Sequence, residues 1–164
     1  LGHSSVLPKA TSDPEALRSL VHKLCHRIAR RLRRDGWLAQ GIAISGPTAD
    51  WSGRWVHSLA LAPTNRRDEL FRTAWGLLTA HPPDAPLRKL AITTFRLRPA
   101  NPEQPSLLEF DRRTEAALAG VDQANDKWGE YTVTPAAMLG TDRIAGDSIA
   151  FGQDLRLQRE TLDS

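Results

Sequence analysis

Few side chains in this sequence stand at spacings that could converge on one reaction. Asp122 and Asp126 lie one helical turn apart, where two carboxylates could share a divalent ion, but Lys127 adjoins them. Two-metal-ion catalysis needs clustered carboxylates, and neither an Asp-x-Asp nor a Ser-Glu pair occurs. The two acids therefore read as a solvated helix face. His22, Cys25 and His26 carry zinc-ligand chemistry within one helical stretch, yet a structural site takes four ligands and no fourth is in view. A basic surface ridge is the preferred reading there. Ser45-Gly46-Pro47 has no paired base, and no glycine-rich phosphate loop follows a strand. The expectation is a chain with no catalytic residue, no cofactor and no metal of its own.

The charge is more informative. The net charge of +3 divides unevenly: residues 1–100 hold 16 Lys and Arg against 7 Asp and Glu, and residues 101–164 hold 6 against 12. A domain at +9 suits contact with a polyanion, because a phosphate backbone gives up counterions to such a surface without regard to sequence. The competing reading is a merely soluble, arginine-rich surface. The single cysteine, Cys25, excludes an internal disulfide framework, and no apolar run approaches the ~20 residues of a membrane span, so a cytoplasmic protein without membrane contact is expected. The opening Leu1-Gly2-His3-Ser4-Ser5 has no initiator Met and no signal-peptide pattern, which reads as a piece of a longer polypeptide.

These residues need elements to position them. Residues 3–7 are a short strand candidate. Ser12-Asp13-Pro14-Glu15 offers a capping oxygen and a first-turn Pro, and Leu17, Leu20, Val21, Leu24, Ile28 and Leu32 continue at helical steps until Gly36. The period changes to two from Trp37 to Ser45, and again from Arg54 to Ala62, where Trp55, Leu59 and Leu61 form the apolar side. A hairpin joins the two. Residues 66–80 form a second amphipathic helix, His81-Pro82-Pro83 breaks it, and Leu87 to Leu97 is the closing strand. The order βαββαβ predicts an α+β domain over 1–100: a four-stranded antiparallel sheet with two helices on one face. Residues 101–110 read as a linker and 111–164 as a tail, with a helix over 111–128 and short strands at Tyr131–Val133 and Ile149–Phe151.

Alternation then assigns the sheet's free face: Gly41, Ala43, Ser45, Arg54, Ser58, Lys89, Ala91 and Thr93. Small and hydroxyl side chains edged by Arg and Lys let backbone amides approach phosphate oxygens.

Three segments together carry a family resemblance. Leu1 to Pro8 followed by Arg30-Arg31-Leu32-Arg33-Arg34-Asp35-Gly36 resembles the entry into the little finger domain of Y-family (DinB/UmuC-like) translesion DNA polymerases. Pro86 to Ile92 is similar to that domain's last strand, and Val121 to Gly129 to a tail helix ending in N-x-x-(F/Y)-G. The resemblance spans about residues 1–152. It implies a domain that grips the template–primer duplex through phosphate contacts during translesion synthesis in DNA repair, with the Mg2+-dependent chemistry in a palm outside this chain. By position it implies DNA contacts from His3, Ser4, Ser5, Arg54, Ser58, Arg88, Lys89 and Thr93. Where the family often has a further basic residue this chain has Thr93, and it has Gly41 and Ala43 where larger polar groups occur.

Gln104-Pro105-Ser106-Leu107-Leu108 occupies the place of the family's sliding-clamp peptide, with Gln104, Leu107, Leu108 and Phe110 as candidate clamp contacts. Pro105 and Leu108 depart from the pattern, and packing of these apolar residues on their own domain is the alternative. Three other functions share the sequence features: a non-catalytic clamp-bound adaptor, a plain protein-interaction domain using the acidic tail, and an RNA-recognition-like module, which would need aromatics that Ser52-Gly53-Arg54-Trp55-Val56 lacks.

Overall fold

The computed structural model describes residues 1–47, 54–100, 109–129, 132–134 and 136. Its elements run β1 (Gly2–Thr11), α1 (Pro14–Arg34), β2 (Trp37–Pro47), β3 (Arg54–Thr64), α2 (Arg67–Ala80), β4 (Leu87–Pro99) and α3 (Glu109–Trp128). The strands form one sheet in the order β1-β4-β2-β3, with each neighbouring pair antiparallel. An RNA-recognition fold of the same element order sets its first and third strands side by side in the centre. Here those two strands are the edges, so that alternative loses its support.

Helix α1 begins where Asp13, not Ser12, supplies the cap: its carboxylate accepts hydrogen bonds from the Glu15 and Ala16 amides, and Pro14 fills a position that needs no donor. It ends at Arg34 with Asp35 as its cap, and the following Gly36 has a φ of 71°, which suits a residue without Cβ. One core lies between the helices and one sheet face. Leu20, Leu24, Ile28 and Leu32 of α1 and Leu70, Ala74 and Leu78 of α2 close over Ile42, Ile44, Leu90 and Ile92. Burial of side chains this size contributes about 1.5–3 kcal/mol each, which makes this layer the main source of stability.

Several elements extend beyond their sequence signals. β1 reaches Thr11, because pairing with β4 resumes at Thr11 and Leu87 after an irregularity past Val6. Leu59, expected on the apolar side of β3, does face the side of Ile42 but stays 53% exposed, since β3 is an edge strand. Thr132 and Val133 are bends, not part of a strand, and Ile149–Phe151 lies outside the described residues. His22, Cys25 and His26 do not form a surface ridge: Cys25 and His26 are buried, and His22 stacks on Phe71 with ring centroids 3.5 Å apart. Burial raises the Cys25 thiol pKa far above its usual range, which leaves it chemically quiet. Among the described residues no group of His, Cys, Asp and Glu could hold a metal ion, and no helix is long and apolar enough to cross a membrane.

Candidate nucleic-acid interface

Register places the free-face residues in rows across the sheet. Gly2, Thr93, Ala43 and Ser58 form one row, and Ser4, Ala91, Ser45 and Val56 the next. Beyond them Val6 faces Lys89, and Pro47 faces Arg54. On the other side of the Gly2 row stand Phe95, Gly41 and Ala60. Strict alternation puts all of these on the side away from α1 and α2. The eight residues read from the sequence therefore share one face.

The rows also show what the pattern alone missed. Val6 and Val56 are 53% and 47% exposed on this face, beside Lys89 and Arg54. Alternation ends at Arg96, which takes a left-handed conformation (φ 50°) between the Gly41–Phe95 and Ala39–Leu97 pairs. Past that point Ala39 and Leu97, paired with each other, turn into the core although their parity matches Gly41 and Phe95. The parity of the open face thus inverts beyond the Gly41–Phe95 pair, which turns exposed Arg98, opposite Leu38, to the free side. Two cations of the face, Lys89 and Arg54, lie toward the opposite end.

Other residues singled out in the sequence fall elsewhere. His3 and Ser5 pair with Ile92 and Leu90, so their side chains belong to the helix side, and Ser5 is buried. Any contact they make on the free side runs through backbone groups of edge strand β1. Arg88 is exposed, but successive strand residues point to opposite faces, so Arg88 and Lys89 do not form one basic patch. Gln104, Leu107 and Leu108, with most of the clamp-like segment, lie outside the described residues, as does the Phe110 side chain.

Of the two acids read as a solvated helix face, Asp126 is 61% exposed and Asp122 is not. Asp122 is 18% exposed and receives a fork from Arg33, Nε at 2.7 Å and Nη2 at 2.8 Å, while Asp126 pairs with Arg30. The Arg33 Nη1 also donates to the Asn65 carbonyl, so this one guanidinium ties α1, the β3–α2 junction and α3 together. The signal in the sequence was the matched spacing, three residues on α1 against four on α3, of opposite charges in distant segments. At the end of α3, Asn125 is 1% exposed, donates from Nδ2 to the Val133 carbonyl (3.0 Å) and accepts the Val133 amide (2.8 Å). Gly129, at φ 108°, makes the reversal between them.

The model of the impB/mucB/samB family C-terminal domain matches residues 1–107. The chain belongs to that family. It is 26% identical over 142 residues to a DNA polymerase IV of Pelotomaculum thermopropionicum, and 28% identical over 143 residues to a DNA polymerase IV of Moorella thermoacetica. Each alignment covers 85% of this chain and 35% of the relative, so the chain spans about a third of the curated relatives it matches. Two solved polymerases share the fold at a TM-score of 0.50. An insertion ternary complex of Dbh DNA polymerase is 13% identical, covering 61% of this chain and 28% of its own, and DinB from Sulfolobus solfataricus is 14% identical, covering 61% and 29%. The little finger resemblance of the sequence therefore holds for family and fold.

Proposed function

We propose that this chain is the DNA-holding domain of a Y-family translesion polymerase, in which the free sheet face rests on the phosphate backbone of the template–primer duplex. The observation that carries the reading is the composition of that face. Gly2, Ala43, Ser45, Ala91 and Thr93 form a shallow floor over which a backbone can approach, and Lys89 and Arg54 supply charge at one end. Contacts that run to phosphate oxygens from backbone amides and from charge at the edge carry no base information, so binding would be indifferent to sequence. Nucleotidyl transfer and its Mg2+ are assigned to the portions of the polymerase relatives that this chain does not match.

Fluorescence anisotropy of a labelled primer–template duplex, titrated with the chain across a salt series, tests the reading. A few side-chain cations and backbone contacts give a log–log salt slope of about −2 to −4, a loss of tenfold or more between about 50 and 200 mM salt. Affinity that ignores salt, or that varies strongly with duplex sequence, would overturn it.

A further inference from the structure

The arginines of α1 that pair with α3 lie on the helical side of the domain, away from the sheet's free face. We propose that Arg30, Arg33 and Arg34, with Arg66 beside them, form a second site for the phosphates of a nucleic-acid strand, and that α3 is a lid which fills this site with its own carboxylates. α1 carries seven Lys and Arg against one acidic residue, and three of the seven fall in its last turn. The Arg33 fork holds both Asp122 oxygens in the manner in which a guanidinium holds two oxygens of a phosphate. Asp126 repeats the contact one turn along, about 5–6 Å away, in the range that separates neighbouring phosphates of an extended strand. The carboxylates of α3 thus mimic two successive phosphates on an arginine row.

The attachment of α3 rests on charge more than on packing. Among its described residues only Asn125 is buried, Leu118 and Val121 are half-buried, and Trp128 is 65% exposed. A cavity of about 590 Å³ remains between α3 and the Arg30, Arg33, Arg34 and Arg66 side of the domain. Closely packed helices leave no such space. Arg34, whose side chain is 66% exposed and pairs with its neighbour Asp35, lies at the cavity rim. A lid held by two ion pairs gives way to a ligand of higher charge density.

The test measures single-stranded DNA binding to the whole chain at low salt by anisotropy. Asp126→Asn should tighten binding about threefold, and Asp122→Asn with Asp126→Asn about tenfold, because each removes a competitor of the phosphate. Asp84→Asn, an equal change of charge at an exposed position off this surface, should do much less. The gain should vanish when Arg30→Gln and Arg33→Gln are added, and DNA should speed amide exchange within α3 of the unaltered protein. No gain in either Asn variant, a gain equalled by Asp84→Asn, or a gain that survives loss of the two arginines would overturn the proposal. Asp126 is 61% exposed, so its single variant keeps the test valid if the double variant folds poorly. The inference depends on the sheet-face reading only in taking DNA as the polyanion, and the two fail separately. Arg54→Ala with Lys89→Ala should lower basal binding yet preserve the gain, whereas a gain with unchanged basal binding would reject the sheet face and keep the lid.

Discussion

The Phe95 ring lies over Gly41 across the β2–β4 pair, so close that a Cβ on Gly41 would stand 2.3 Å from it. The ring stands toward the end of the open face away from Lys89 and Arg54. Because the ring is the far end of a side chain, Gly41→Ala should swing it off the sheet at a cost of about 1 kcal/mol. Gly46→Ala meets the Lys89 carbonyl oxygen at 2.2 Å, which is backbone and cannot rotate away. That variant should lose about 3 kcal/mol or more, and urea unfolding of the two proteins side by side checks the order.

Asn125 should matter to α3 and the turn that follows, and little to the sheet. Asn125→Ala removes both partners of Val133 in a buried position, a local loss of about 2–3 kcal/mol. Asn125→Asp keeps the acceptor but turns a carboxylate oxygen on the Val133 carbonyl, so it should be no better. Hydrogen exchange should show faster exchange in residues 121–133 while β2 and β4 stay protected. Equal loosening of the sheet would show that α3 belongs to the same cooperative unit.

The sheet was legible because alternation is unbroken from Gly41 to Ser45 in β2, from Arg54 to Ser58 in β3 and from Lys89 to Phe95 in β4, so eight free-face residues could be assigned from period alone. Three features were not. The inversion at Arg96 depends on one backbone conformation that carries no composition signal, and Arg is not a residue that announces a positive φ. The exposure of Leu59 follows from strand order, which places β3 at an edge that no local pattern reveals. The Arg33–Asp122 pair joins residues 89 positions apart, and charges on a helix look solvated until the partner element is known.

Buried histidine gives a pH signature. The His26 pKa is lowered, first by burial and then by the nearby Arg67 and Arg33, with Asp122 opposing; the His22 pKa is lowered by burial, Arg67 and Arg18. A histidine whose folded pKa lies below its unfolded value near 6.5 binds its proton more readily when unfolded. Stability is then fully present above about pH 6.5 and falls as the pH drops through that value toward the folded pKa. Tm should decrease from pH 7.5 to pH 5.5, a window chosen above the ordinary carboxylate range, and His26→Gln should flatten the curve. A slope unchanged by that substitution would assign the pH dependence to other groups.

The placement of Arg88 and Lys89 on opposite sides of β4 separates two residues that sequence position joins. If the free face holds the duplex, Lys89→Ala and Arg54→Ala should each weaken binding for every sequence alike and each lower the salt slope by about 1, the loss of one phosphate contact. Arg88→Ala should leave the slope nearly unchanged, since its side chain alternates away from the rows of Ser4, Ala91 and Ser45. All three side chains lie outside the core cluster, so Tm should move by less than the effect of a core truncation, and circular dichroism guards against a folding artefact. Salt slopes for the three variants, measured on one duplex, decide the matter. A loss from Arg88→Ala that matches the loss from Lys89→Ala would mean that the duplex meets the end of β4 rather than its face.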